Sequence, residues 1–361
     1  MNSLRRSSNI SAISAACIAA TVLVALIPAG CSDRGGWVEQ RRYAMGTWVD
    51  IIYAAPERYT AESPDARVDD LLDQYGTDYY AWADGELGRV NQALKTSNEF
   101  TASAELVDLL VRAREYSVRS EGLFDPGVGR LVEAWGFNSS ENESREPPAD
   151  FLEDWRNAHP SITELRIDGR RLSTAADGLL IDLGGIAKGE VVDRLLDLFA
   201  AAGIENVLVN AGGDVRVRGR RGERQWTIGI QSPRADGLLG SITLNDGEAA
   251  FTSGDYERYF DSDEGRSHHL LDPISGRPAT HTQATTVIAG NGALADAAAT
   301  ALFVAGPARW RRIAAALGIE LALRVDADGH VEMTPAMRER VRMQGTEEPA
   351  TMTEQSRPAA L

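Results

Sequence analysis

The sequence predicts an α+β fold, on three observations. Segments of strand character and segments of helical spacing follow one another without steady alternation, which argues against a doubly wound parallel sheet. No internal repeat of about 20–50 residues is present, which excludes solenoids and propellers. The 361 residues are 43% hydrophobic and 25% charged, a globular balance with enough chain to bury a large core.

The elements follow in order. Residues 1–30 read as a signal peptide and 31–40 as a tether. Residues 48–53 read as a strand, and 66–94 as mixed helix ending in turns. Ser103 can cap a helix running through Arg119, because Leu106, Leu109, Leu110, Ala113 and Tyr116 share one face. Residues 138–150 are polar and carry prolines, hence a surface loop. Residues 179–183 read as a short buried strand leading into Gly184-Gly185. Val191, Leu195, Leu198, Phe199 and Ala202 then recur at helical spacing, and Gly203 stops that helix. Residues 206–210, 225–231, 241–244 and 285–289 read as strands. A helix over 294–304 ends at Gly306-Pro307, and a second covers 308–317. Asp326-Ala327-Asp328-Gly329 turns a hairpin, and 341–361 read as a flexible tail behind one domain spanning 41–340.

Charge narrows the partners. The 37 Lys+Arg against 53 Asp+Glu give a formal charge of −16, so nucleic acid is not expected as a partner. A phosphate-bearing substrate would need a metal ion or backbone amides. Two cysteines in so long a chain cannot make a disulfide scaffold. Both lie near the N-terminus. Arg5-Arg6, an apolar run over 10–27 and Pro28-Ala29-Gly30-Cys31 before a polar flank read as an export signal with a lipoprotein cleavage site at Cys31. A single membrane anchor is the alternative. Cleavage would remove Cys17 and two arginines, leaving Cys31 as an acylated address with no thiol for chemistry.

Several motifs fail. Gly184-Gly185-Ile186-Ala187-Lys188-Gly189 matches neither the Rossmann nor the P-loop template, although a glycine-rich turn opening a helix offers amides to an anion. Asp326-Ala327-Asp328-Gly329 resembles the start of a calcium loop, but His330 replaces an oxygen ligand and no glutamate closes it. Phe251-Thr252-Ser253-Gly254 lacks a nucleophile elbow.

Others hold together. Asp296 and Thr300 are four apart, hence on one helix face. A carboxylate and a hydroxyl presented together suit Mg²⁺; the alternative is an Asp favoured by the helix dipole and a Thr bonded to its own helix. His269 opens a turn-rich segment and can serve as a general base. Asn210-Ala211-Gly212-Gly213-Asp214 and Thr252-Ser253-Gly254-Asp255-Tyr256 add two more polar, glycine-bearing corners. Together these fit a site for a diphosphate nucleotide.

In combination the segments resemble the ApbE family, the FAD:protein FMN transferases. The anchors are Met45-Gly46-Thr47, Phe124-Asp125-Pro126-Gly127-Val128-Gly129 with Trp135-Gly136-Phe137, and Asp182-Leu183-Gly184-Gly185-Ile186-Ala187-Lys188-Gly189. The two polar corners, the segment over 269–278 and Ala295-Asp296-Ala297-Ala298-Ala299-Thr300 complete the series. The resemblance implies one compact two-lobed, T-fold-like domain with mixed or antiparallel sheets and flanking helices. It implies transfer of the FMN half of FAD to a Thr or Ser hydroxyl of an acceptor protein, with release of AMP. The residues it implies for Mg²⁺ are Asp296, Thr300, the Gly185 carbonyl and, where many members have an acidic residue, Ala299 through its carbonyl or a water. Met45, Trp82, Leu123, Phe124, Asp125, Asp182, Lys188 and Leu271 fall at flavin-nucleotide positions, and His269 at the base. A membrane redox-complex subunit as acceptor and an anchored lipoprotein facing the periplasm follow from the same likeness. Two alternatives stand beside it: an FAD pyrophosphatase, and a non-catalytic periplasmic flavin-binding lipoprotein.

Overall fold

The computed structural model describes residues 36–55, 64–138, 145–262 and 265–344. The signal peptide, Cys31 and the chain beyond 344 lie outside the described residues. The chain opens with a hairpin of β1 (Trp37–Ala44) and β2 (Thr47–Ala54). Residues 37–40, expected as tether, are therefore strand, because the whole of β1 pairs in register with β2, from Trp37↔Ala54 to Ala44↔Thr47. Then follow α1 (Asp65–Asp78), α2 (Glu86–Lys95), β3 (Phe100–Thr101), α3 (Ala104–Arg119), α4 (Gly129–Ala134) and α5 (Ala149–Asn157). A small sheet adds β4 (Arg166–Asp168) and β5 (Arg171–Ser173) to β3. The second half carries α6 (Ala187–Ala201), β6 (Val207–Ala211), β7 (Asp214–Arg218), β8 (Trp226–Gln231), β9 (Leu238–Leu244) and β10 (Ala249–Gly254). It closes with β11 (Tyr259–Ser262), β12 (Gly265–His268), β13 (Thr282–Ala289), α7 (Gly292–Leu317), β14 (Leu321–Asp326), β15 (Val331–Met333), α8 (Pro335–Arg340) and β16 (Val341–Met343).

An eight-stranded sheet in the order β1-β2-β6-β7-β10-β13-β14-β15 is the frame. Its pairings are antiparallel throughout. Alternation along β2 explains its two packed faces. Val49, Ile51 and Tyr53 point to the helices with Val191, Leu195 and Phe199. Ile52 points the other way with Leu208, Val215 and Val217, against Trp226 of β8 and Ile242 of β9. A third cluster of Leu131, Trp135, Phe137, Leu152, Trp155 and Leu271 forms a smaller lobe. Among the described residues no helix is long and apolar enough to cross a membrane.

The Ser103 cap is present, its hydroxyl accepting from Leu106 N at 3.1 Å, and Leu106, Leu109, Leu110 and Ala113 are fully buried. The helices expected on either side of Gly306-Pro307 are present within α7, separated by a break at Gly306, whose backbone is non-helical and whose φ of +62° only glycine adopts readily. Two further expectations are corrected. Within 138–150, α5 already starts at Ala149. Residues 179–183 form no strand: Leu180 makes a single parallel bridge to Val128. The buried side chain of Asn91 replaces a strand neighbour, donating to Ile181 O and accepting from Ile181 N, both at 2.9 Å.

Candidate active site

Two turns meet at one end of the large sheet. The β1–β2 turn is Met45-Gly46, with φ of +51° and +75°, the two left-handed positions of a type I′ hairpin. Met45 adopts such a φ at a cost that glycine or asparagine would avoid. The β6–β7 turn is Gly212-Gly213, also at positive φ. Gly212 is required there, since a Cβ would lie 2.3 Å from Thr47 Oγ1 of the first hairpin. Its amide donates to Trp48 O at 2.9 Å, and Asn210 Oδ1 accepts from Gly213 N at 2.8 Å.

Just past that turn, Asp214 binds the Lys188 ammonium with Oδ2 and accepts from Thr252 N with Oδ1 at 2.9 Å. Burial opposes the charge on Lys188, but Asp214, Glu257 and Asp296 outweigh it and hold the ammonium protonated beyond its ordinary range. Lys188 stands in the first turn of α6, one residue before Gly189, whose amide donates to Asp296 Oδ2 at 3.0 Å. Thr300, one turn further along α7, places Oγ1 3.4 Å from Ser253 Oγ of β10. Gly185 is wedged beside it: a Cβ there would lie 3.3 Å from Thr300 Oγ1 and 3.3 Å from the Phe124 ring. The structure thus brings Phe124, Gly185, Lys188, Asp296 and Thr300 together.

The donor set suits a hard divalent cation. Asp296 is 5% exposed, and no hydrogen bond reaches its Oδ1 from the described residues. Burial, only partly opposed by Lys188, pushes its carboxyl up to about 7. A bound cation would return it to the ionised form. Carboxylate, hydroxyl and backbone carbonyl are oxygen donors of the kind Mg²⁺ takes. Ala299 brings no side-chain oxygen; it is 1% exposed, its methyl packed in the core and its carbonyl set inside a helix. A second group, Asp326, Asp328 and His330, lies on the β14–β15 turn. There Asp326 Oδ1 accepts from Asp328 N and His330 N, so it serves the hairpin.

His269 follows β12. Its Nδ1 lies 3.2 Å from the Arg258 carbonyl oxygen, which can only accept, so this contact places the proton on Nδ1. Nε2 is then the basic nitrogen, 3.9 Å from Glu257 Oε2. Burial, together with Arg258 and His268, keeps the ring's pKa well below the ordinary histidine value. A neutral imidazole at pH 7 with its lone pair on Nε2 can accept a proton.

The remaining expected residues divide. Trp82 is half-buried, edge-on to Tyr80 at 5.5 Å, and its Nε1 is buried without a hydrogen-bond partner among the described residues. Asp182 is half-buried beside the Gly184 turn, Oδ1 accepting from Gly184 N at 3.0 Å; burial pushes its carboxyl up, opposed by that amide and by Arg258. Asp125 uses its carboxylate internally, Oδ1 accepting from Gly127 N at 2.7 Å and Ile162 N at 2.9 Å, so it shapes the backbone after Phe124. Leu123 is fully buried, and Leu271 is packed in the smaller lobe. Sequence reasoning assigned no role to Asp214, Ser253, Glu257 or Arg258. Asp214 and Ser253 lay inside quoted motifs, and their partners became visible only with the fold.

The ApbE family profile matches residues 45–323. The chain belongs to the ApbE family. An FAD:protein FMN transferase of Rhodobacter capsulatus is 39% identical over 310 residues, covering 84% of this chain and 58% of that protein. Another, of Vibrio cholerae serotype O1, is 33% identical over 309 residues, covering 84% of this chain and 92% of its own. The crystal structure of the ApbE protein of Thermotoga maritima superposes with a TM-score of 0.78 at 30% identity, covering 84% of this chain and 99% of that one. The α+β architecture with antiparallel sheets is accordingly that of ApbE structures.

Proposed function

We propose that this ApbE-family chain transfers the FMN moiety of FAD to a Ser or Thr hydroxyl of an acceptor protein, releasing AMP. The observation that carries the reading is the link between an oxygen-donor cluster around Asp296 and Thr300 and the neutral His269: His269 Nε2 lies 3.9 Å from Glu257, whose charge acts on both Lys188 and Asp296. The relatives' name, FAD:protein FMN transferase, supports the same chemistry.

In this reading Asp296, Thr300 and the Gly185 carbonyl would hold Mg²⁺, which would supply charge neutralisation of the diphosphate and of the leaving phosphate. Lys188, kept protonated by Asp214, adds a fixed positive charge beside it. The turn at Gly184-Gly185 presents backbone at the start of α6, where an anion is favoured. His269 Nε2 takes the proton as the acceptor oxygen bonds to the flavin-side phosphorus. The bond from that phosphorus to the AMP oxygen breaks, and AMP leaves with the electron pair. Phe124, Trp82 and Met45 line the flavin side. Admission of water in place of the hydroxyl would yield free FMN and AMP, so the acceptor segment must close the site.

The apolar run over 10–27 and Cys31 support a chain carried outside the cytoplasm on a lipid anchor, which would suit a membrane redox-complex subunit as acceptor. Labelled palmitate carried by the wild type and absent from Cys31→Ser is the expected result for the anchor. Purified protein incubated with FAD, Mg²⁺ and an acceptor bearing a short Ser/Thr flavinylation segment tests the activity. Fluorescent flavin on the acceptor after denaturing electrophoresis, abolished by chelator, supports the proposal. Free FMN and AMP alone make the chain a pyrophosphatase, and neither product makes it a flavin-binding protein.

A further inference from the structure

We propose that Asp193 is a positioning residue for the cation-binding face of α7, acting through a reciprocal cap between the N-termini of α6 and α7; the inference rests on the metal-dependent reading above. The two helix starts meet backbone to backbone. A Cβ on Gly189 would lie 2.2 Å from Gly292 O, and one on Gly292 would lie 2.5 Å from Gly189 O. Across this contact each helix caps the other. Asp193 of α6 accepts from Gly292 N at 2.7 Å and from Ala293 N at 3.1 Å. Asp296 of α7 accepts from Gly189 N at 3.0 Å.

Asp193 is itself fixed. Arg216 of β7 donates Nη1 to Asp193 Oδ1 at 2.6 Å and Nη2 to Gly290 O at 3.1 Å, with Nε 3.3 Å from Gly247 O. Asn291 Oδ1 takes Leu294 N at 2.8 Å, and Asn291 O takes Ala295 N at 3.2 Å. The first amides of α7 are therefore all engaged, two of them by Asp193. Asp296 lies one turn into the helix and Thr300 two turns in. At about 1.5 Å of rise per residue, their height against Gly185 and Ser253 follows from where the first turn is pinned. Asp193 touches no expected ligand position; it sets the place of the residues that occupy them. Mutation of residues that support metal ligands typically costs about 10–100-fold in metal affinity.

The test is Mn²⁺ binding by electron paramagnetic resonance, without FAD or acceptor, on wild type, Asp193→Ala, Asp193→Asn and Ser103→Ala. Asp193→Ala is expected to weaken Mn²⁺ binding roughly 10–100-fold. Asp193→Asn is expected to recover part of it, since its carboxamide oxygen can still accept from Gly292 N, and it carries the test if the alanine variant does not fold. Ser103→Ala removes the cap of α3 and should lower Tm without moving the Mn²⁺ affinity. In turnover, both Asp193 variants should need more Mg²⁺, with kcat restored at saturation. Asp193 variants that bind Mn²⁺ as tightly as wild type overturn the inference. A wild type that binds no Mn²⁺ overturns the metal reading, and this inference with it.

Discussion

The indole Nε1 of Trp135 donates to the Gly276 carbonyl at 2.9 Å, joining segments 141 residues apart. Trp155 does the same to Pro273 O at 2.8 Å. The loop that follows His269 is thus held by two indoles of the smaller lobe. Trp135→Phe keeps the ring and removes the donor, leaving a buried carbonyl unpaired at a cost of about 1–3 kcal/mol. The expected outcome is a Tm lower by a few degrees and a slower transfer step, with the FAD dissociation constant unchanged. Thermal unfolding and single-turnover kinetics check it, and an unchanged rate would mean that this bond does not place His269.

Gly189 and Gly292 let α6 and α7 meet backbone to backbone, with backbone as the obstacle on both sides. No side-chain rotation can relieve a Cβ there. Gly189→Ala is expected to destabilise the fold by about 1–3 kcal/mol and to weaken divalent-cation binding with it, because Gly189 N also holds Asp296. A calorimetric melt and a Mn²⁺ titration measure both. Wild-type values in both would mean that the helices can part freely.

Local signals were readable in the chain; long-range substitutions were not. The apolar stripe of α3, its Ser103 cap and the break at Gly306 each follow from residues within one or two turns. So did the pairing of Asp296 with Thr300, which needs only helical spacing. Residues 179–183 misled because their hydrophobic run is buried without being a strand. Their backbone is served by Asn91, a residue that in sequence is one more polar position on an amphipathic helix. Asp193 likewise reads as an ordinary helix-surface acid until α7 is brought to it. The tether expectation failed at Trp37 because its partner, Ala54, lies at the far end of a hairpin whose turn begins at a non-glycine residue, Met45.

His268 is 3% exposed, with Nε2 2.9 Å from Ala279 O and Nδ1 accepting from Leu270 N at 3.2 Å. Both contacts suit the neutral ring, and burial lowers its pKa. A folded pKa below the unfolded value of about 6.5 means that the stabilisation is complete above pH 6.5 and is lost as pH falls through the folded pKa. Tm should drop on acidification below that point, and His268→Asn should show a flatter Tm–pH curve between about pH 7 and 5. Parallel curves for variant and wild type would remove His268 from the acid response.

His269, the base of the proposed transfer, has the same sign of shift. Its lowered pKa keeps Nε2 unprotonated at neutral pH, so the base form persists as the solution is acidified to about 6.5 and beyond. At saturating Mg²⁺, the acidic limb of kcat/KM for flavin transfer is expected below pH 6.5. His269→Ala should lose the transfer rate, with FAD binding retained. An acidic limb centred above 7 would assign the base to another group.

Trp82 offers the sharpest separation between folding and binding. Its Nε1 is buried and finds no acceptor among the described residues, while its ring packs against Tyr80 and the helical core. An unmet buried donor costs about 1–3 kcal/mol, a cost that an FAD carbonyl or ring nitrogen would relieve on binding. Trp82→Phe removes the donor and keeps an aromatic face for stacking. The ligand-free variant should therefore melt no lower than wild type, whereas its FAD affinity should fall by roughly tenfold, the equivalent of about 1.4 kcal/mol. Trp82→Ala should lose both stacking and packing, and so weaken FAD further while lowering Tm. Flavin-fluorescence titration and thermal unfolding separate the two effects. An FAD affinity unchanged in both variants would place the isoalloxazine away from Trp82.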